Sequence, residues 1–200
     1  MIEEYLSGAA EPMLRKLSHQ SRLAFDLATC ARLYLRFNEV GSEQVTAAAD
    51  RRVAAALYAV LRAFVDGDRS FAQLESSICE VFPEEMIDTD VAYYFGVGVS
   101  LCGLVMPEYA QRDRCTSVAR IAIDSYLGHI EALPEPDPTD ELLVRGIVPS
   151  FGSDAYEDMA VTEIADQLRL LDRLLAAPSS GVQVVQTALA DVQRALEAPY

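Results

Sequence analysis

Two histidines are the side chains in this sequence best suited to acid–base or metal chemistry near neutral pH. His19 lies beside the serines of a predicted helix start. His129 lies near a predicted helix end, where a positive imidazole is favourable. Neither stands at the spacing of a catalytic triad or a metal site, so we interpret both as structural or exposed.

Four cysteines are the other reactive groups, and they are Cys30, Cys79, Cys102 and Cys115. They form no C-x-x-C pair and no cluster with histidine of the kind that binds zinc. Each falls in an apolar helical segment, where cysteine commonly behaves as a small buried hydrophobe. We therefore predict reduced thiols, no bound metal and no cofactor.

Residues 98–103, with the sequence GVSLCG, resemble the serine turn of a hydrolase. The G-x-S-x-G pattern needs a glycine where this chain has Cys102, and it follows a strand that the sequence does not predict. The Gly96 and Gly98 pair also lacks the spacing of a phosphate-binding loop. These residues are better explained by helix packing, and the sequence predicts no catalytic residue.

Glu84, Glu85, Asp88 and Asp90 form a cluster of carboxylates, which we call the acidic cluster. Carboxylates can bind a hard cation such as Ca²⁺, but the glycine and bidentate glutamate of a calcium loop are missing. Two interpretations remain. The cluster is either a solvated loop that caps the next helix or an edge that binds a partner.

The formal net charge of −15 is unevenly distributed. Residues 1–69 carry nine acids and nine bases, whereas residues 70–111 carry seven acids and no base. A surface of this kind repels phosphate backbones and anionic lipid, so we expect neither direct nucleic-acid binding nor membrane binding. The acidic surface is compatible with a basic protein partner, although a requirement for solubility alone would also explain it. The sequence is also compatible with a homo-oligomer.

Residues 91–106 (VAYYFGVGVSLCGLVM) are the element that we expect the other segments to pack around. The run has no charged residue, is too short to span a membrane and is too long for an ordinary strand. It therefore predicts a helix buried on all sides. Gly96, Ser100 and Gly103 share one narrow face of that helix, on which a neighbouring backbone could approach closely.

The remaining periodicity predicts one all-α domain over residues 1–200, a bundle of about seven to nine helices. Residues 1–17 are expected to form an N-terminal arm or short helix, and residues 134–153 an acidic, partly irregular connection. Amphipathic helices are predicted at about 21–39 and 42–65. In the first of these, polar side chains form a stripe made of Arg22, Asp26, Thr29, Arg32 and Arg36.

Two C-terminal helices, joined by residues 178–181, are predicted to form an antiparallel hairpin. In the first helix the apolar repeat consists of Ile164, Leu168, Leu171 and Leu175. In the second helix it consists of Val185, Leu189, Val192 and Leu196. The acidic N-terminus lacks the features of a signal peptide and no span is predicted, so we expect a cytoplasmic protein.

The order of several motifs resembles the YjaG-like family of uncharacterised bacterial proteins. The motifs are Phe25, Cys30 and Arg32, then Arg52, then Phe71, Leu74, Glu75 and Pro83, then Asp88, Tyr93, Tyr94 and Cys102. A long helix and a C-terminal helical hairpin follow, as in that family. The resemblance implies an all-helical fold and a cytoplasmic location, and it supplies no activity.

Two classes of function remain. The first is a non-enzymatic interaction module, such as an immunity or antitoxin-like protein or an adaptor, whose acidic cluster meets a basic protein. The second is a small-ligand-binding protein or an enzyme with a pocket between helices, lined by Tyr93, Tyr94 and Tyr126. The first class is favoured, because the sequence contains no recognisable nucleophile, metal cluster or phosphate loop.

Overall fold

The computed structural model of the chain describes residues 2–40, 47–67, 74, 118–123 and 153–198. Within these ranges every regular element is helical and no strand occurs, which confirms the all-α prediction. The α-helices are α1 (Ile2–Tyr5), α2 (Glu11–Leu14), α3 (His19–Val40), α4 (Ala47–Val65), α5 (Ser153–Ala176) and α6 (Gly181–Glu197). Residues 118–123 are also helical.

The N-terminal segment is helical almost throughout, because a π-helix at Leu6–Ala10 joins α1 to α2. Tyr5, Leu14 and Leu17 are among its buried side chains. The π-helix and α2 both contact α5. The segment is therefore docked on the C-terminal half of the chain.

Helix α3 is the most deeply buried element of the described structure. It begins after Ser18, whose hydroxyl oxygen accepts a 3.1 Å hydrogen bond from the backbone N–H of Ser21, a side-chain cap of the helix start. From residue 23 to residue 31 every side chain is buried. Helices α4, α5 and α6 all contact α3, so the described core is organised around it.

Helix α6 packs against both α3 and α4. Its predicted apolar repeat is confirmed for Val185, Leu189 and Val192, which are buried. At the start of α6 the backbones come close, because a Cβ atom built on Gly181 would lie 3.3 Å from the Cβ of Ala24. Glycine therefore allows α6 to begin directly beside α3.

Helices α5 and α6 are joined by Ala177 and a 3-10 turn at Pro178–Ser180. The helices and the turn lie where the sequence predicts them. The two helices nevertheless make few direct contacts with each other, since α6 lies against α3 and α4 while α5 lies against α3 and the N-terminal segment.

The buried face of α5 differs from the predicted one. Ile164, Leu168 and Leu175 are partly buried and pack against the core, so the predicted repeat faces the core, although Leu171 is its only fully buried member. The side chains buried along this helix are Ala160, Glu163, Gln167, Leu170, Leu171 and Leu174. The face is rotated because two polar residues, Glu163 and Gln167, occupy core positions.

Several predictions concern residues outside the described ranges. They include the buried helix at 91–106 and nearly all of the acidic connection at 134–153. None of the described helices is both long enough and apolar enough to cross a membrane.

Candidate functional site

A buried carboxylate lies between α3 and α5. The side chain of Glu163 is fully buried, and it meets the polar stripe of α3. Nη2 of Arg32 donates to its Oε1 at 2.9 Å, and Nη1 of Arg36 donates to its Oε2 at 2.7 Å. A buried charge is tolerated only when it is paired and hydrogen-bonded, and these two guanidinium groups meet that requirement.

Gln167, one helical turn after Glu163, extends the network to two further segments. Its Nε2 donates to Oε1 of Glu163 at 3.1 Å and to the backbone oxygen of Ala119 at 3.3 Å. Its Oε1 accepts a 2.6 Å hydrogen bond from the hydroxyl of Tyr5. The N-terminal segment, α3, residues 118–123 and α5 are thus joined by one polar cluster.

Asp166 forms the partly exposed end of this cluster. Its carboxylate pairs with Arg36 and with Arg169. Arg32 also donates to the hydroxyl oxygen of Thr29 at 3.2 Å. We call Tyr5, Arg32, Arg36, Glu163, Asp166 and Gln167 the ion cluster. It holds two carboxylates against two guanidinium groups of α3, so positive and negative charge are balanced inside the fold.

Two buried titratable groups, Tyr5 of the ion cluster and Cys30 of α3, are held in their neutral forms. Burial raises the pKa of the Tyr5 hydroxyl above its usual range, and the negative charge of Glu163 raises it further. Burial likewise raises the pKa of the Cys30 thiol, with an added contribution from Asp26. Cys30 is free and buried, as predicted for it, and because a thiol reacts as the thiolate, its raised pKa disfavours reaction.

A groove lies beside the ion cluster, between α3, α5 and α6. Its volume is about 240 Å³. The apolar residues that line it are Ala28, Ala31, Leu35, Leu170, Val184 and Ala188. The polar residues are Arg32, Arg173, Thr187 and Asp191. Arg32 belongs to both the groove and the ion cluster.

The ion cluster and the groove differ in the chemical groups that they present. Both carboxylate oxygens of Glu163 accept hydrogen bonds from guanidinium groups, and burial keeps the Tyr5 hydroxyl protonated. Within the described ranges, no group of three or more His, Cys, Asp or Glu side chains could hold a metal ion. The groove, in contrast, combines an apolar lining with a small number of charged groups, as ligand sites do.

The acidic cluster, Glu84, Glu85, Asp88 and Asp90, lies outside the described residues, and so do Tyr93, Tyr94 and Tyr126. Of the two histidines, His19 is exposed at the start of α3. The structure brings together different residues, Glu163 and Gln167 from α5 with the stripe of α3. Glu163 and Gln167 lie one helical turn apart and therefore share a face of α5, and this spacing was the sequence feature that could have indicated the cluster. The neighbouring apolar repeat favoured a different buried face, so the spacing was not used.

No protein-family model, curated protein or solved structure matches this chain. The resemblance to the YjaG-like family therefore stays a prediction, and function has to be inferred from the chain's own residues.

Proposed function

We propose that this chain is a non-enzymatic interaction module that binds a basic protein through an acidic surface. The observation that carries the proposal is the distribution of charge. Fifteen acids and twelve bases lie in the described residues, whereas sixteen acids and only four arginines lie in the rest of the chain. The excess negative charge is thus concentrated in segments that include the acidic cluster.

The described residues contribute little to the electrostatic potential around the protein, because many of their basic side chains form ion pairs within the chain. The pairs are Arg15 with Glu11, Arg32 and Arg36 with Glu163, Arg36 and Arg169 with Asp166, Arg62 with Asp66, and Arg194 with Asp191. The opposite charges of a contact pair largely cancel at distances well beyond their separation. The acidic segments therefore dominate the long-range potential.

A concentrated negative potential speeds encounter with a positively charged surface and disfavours phosphate and anionic lipid. Proteins that bind nucleic acid present such positive surfaces. An immunity or antitoxin-like role is one form of this function, in which carboxylates of this chain occupy the place of nucleic-acid phosphates on a toxin. An adaptor is another.

We propose in addition that the whole chain is a single cytoplasmic bundle of about seven to nine helices. In this arrangement residues 91–106 form a buried helix. The support is the charge-free run at 91–106 and the continuous helical periodicity of the sequence.

Charge reversal tests the interaction proposal. The variant changes Glu84, Glu85, Asp88 and Asp90 to lysine, and partners are captured from cell extract at low and high salt. We expect the unaltered chain to retain a basic protein at low salt and to release it at high salt. We expect the variant to lose that protein, because its attraction for the positive surface is reversed.

A matched control reverses four exposed acids elsewhere, Glu4, Asp158, Asp172 and Glu197. It has the same net charge as the first variant and should keep more of the binding. Failure of the unaltered chain to retain any basic protein would refute the proposal, as would equal binding by the first variant and the unaltered chain. Circular dichroism and thermal melting show whether the variants are folded.

The alternative function is the binding of a small ligand. A specific observation favours it, namely the groove that Arg32 shares with the ion cluster. Turnover of a small molecule by the purified chain would support an enzyme of that class instead.

A further inference from the structure

The groove exists because small side chains meet where two helices diverge. Helices α5 and α6 both contact α3 but make few contacts with each other. Ala28 and Ala31 of α3 and Ala188 of α6 are the small residues in its lining. Larger side chains there would fill the space of about 240 Å³ between the three helices.

The polar groups that line the groove differ in how far they are already paired within the chain. Asp191 pairs with Arg194, so its carboxylate already has a positive partner. The Thr187 hydroxyl donates to the backbone oxygen of Gln183 at 3.0 Å. The acceptors at this edge are therefore engaged by groups of α6 itself.

The two groove arginines, in contrast, have donors to spare. Arg32 uses Nε and Nη2 for Glu163 and Thr29, while its Nη1 makes no hydrogen bond with any described residue. Arg173 is exposed and forms no ion pair with a described carboxylate. A guanidinium group carries five N–H donors and binds carboxylate oxygens in a forked geometry. The uncommitted charge of the groove is therefore positive, in a chain whose net charge is −15.

The volume limits the size of an occupant. An apolar cavity of about 150 Å³ holds a benzene molecule, and drug-sized ligands occupy pockets of about 300 Å³ or more. A groove of about 240 Å³ lies between these limits. It fits a single ring with a short substituent or a medium-length alkyl chain.

We propose that the groove between α3, α5 and α6 is a binding site for small apolar monocarboxylates. The alkyl or aryl part lies on the alanines and on Leu170 and Val184, from which it displaces water. The carboxylate accepts hydrogen bonds from Arg173 and from the unused Nη1 of Arg32. This site is separate from the acidic cluster, so the proposal does not depend on a protein partner.

Titration of the full chain with octanoate tests the proposal, with binding followed by calorimetry and by the methyl NMR signals of Val184 and Leu170. We expect saturable binding and selective shifts of these methyl groups. Arg173→Gln should weaken octanoate by about tenfold, the effect of losing one charge-assisted hydrogen bond. Octylammonium, with a similar chain and the opposite charge, should bind at least about tenfold more weakly than octanoate.

Arg169→Gln is the matched control, because Arg169 lies one turn before Arg173 on α5 and does not line the groove. It removes the same charge and should leave octanoate affinity within about twofold of the unaltered chain. Ala188→Leu fills the groove and should abolish binding, with helicity checked by circular dichroism.

The proposal is overturned if octanoate does not bind, or if Arg173→Gln and Arg169→Gln change its affinity equally. Equal affinity for octanoate and octylammonium would also overturn it, since the arginines would then contribute nothing. None of these outcomes bears on the acidic cluster, which is tested by capture of a basic protein.

Discussion

The hydroxyl of Tyr5 donates a 2.6 Å hydrogen bond to Oε1 of Gln167, a residue 162 positions later in the chain. Both side chains are buried. The contact connects the N-terminal helical segment to the helix that carries Glu163. Because both side chains are buried, removal of this hydrogen bond should lower the free energy of unfolding.

Tyr5→Phe removes the donor and leaves the Oε1 atom of Gln167 buried without it. An unsatisfied buried acceptor costs about 1–3 kcal/mol, and we expect a loss of that size in the free energy of unfolding measured with urea. Tyr58→Phe is the control, since Tyr58 is only half-buried and its change should stay within about 0.5 kcal/mol. Equal effects of the two substitutions would show that the Tyr5 contact contributes nothing specific.

Glu163→Gln keeps the shape of the side chain and removes its charge. Arg32 and Arg36 then face a neutral group, and breaking a buried pair from one side costs about 3–5 kcal/mol. We expect a value near the lower limit, about 3 kcal/mol, because both arginines are partly exposed and Arg36 keeps Asp166. Chemical denaturation measures it.

The control for that substitution is Asp158→Asn, which removes a charge from an exposed position on the same helix. Its effect should be within about 0.5 kcal/mol. If Glu163→Gln were equally mild, the ion cluster would not be a stabilising element of the fold.

Alkaline pH should destabilise the chain through Cys30 and Tyr5. The pKa of each group is raised in the folded state by burial. The unfolded chain therefore loses these protons first, near pH 9 for the thiol and near pH 10 for the phenol. Their stabilising contribution is complete below those values and falls as pH rises, by up to about 1.4 kcal/mol per pH unit for each group.

Variants assign the two contributions. Cys30→Ala should flatten the decline that begins near pH 9, and Tyr5→Phe the decline that begins near pH 10, in plots of unfolding free energy against pH. Slopes identical to that of the unaltered chain would contradict the assignment, whatever the absolute stabilities of the variants.

Two glycines should respond in opposite ways to a larger side chain. A Cβ on Gly8 would meet no atom within 4 Å, so Gly8→Ala should stabilise the helical segment by about 0.5–1 kcal/mol. Gly181→Leu should destabilise the chain by about 1–3 kcal/mol, because it inserts a side chain where α6 approaches Ala24. Thermal melting of the two variants distinguishes them, and a melting temperature raised by both would argue against close packing at Gly181.

Helix periodicity was sufficient to predict where the main helices lie. The helix predicted at 21–39 corresponds to α3 at His19–Val40, and both C-terminal helices occur where their apolar repeats place them. These features depend on neighbouring residues, on serine caps and on turn residues such as Gly67, whose φ is +87°.

The buried face of α5 could not be predicted in the same way. Local hydrophobicity favours Leu168 as a core residue and Glu163 as an exposed one, yet Glu163 is fully buried and Leu168 only partly. The reason lies more than a hundred positions earlier, in Arg32 and Arg36, which compensate the buried carboxylate. A charge stripe on one helix indicates a partner on another, but it does not identify which helix supplies that partner.

Arg32 makes the groove and the ion cluster thermodynamically linked, since one guanidinium group serves both. Linkage of this kind is reciprocal. A carboxylate bound in the groove changes the stability of the contacts around Glu163 by some factor. Those contacts change the affinity of the groove for the carboxylate by the same factor. Through Gln167 the effect reaches Tyr5. Amide hydrogen exchange in the N-terminal segment should therefore report on whether the groove is filled.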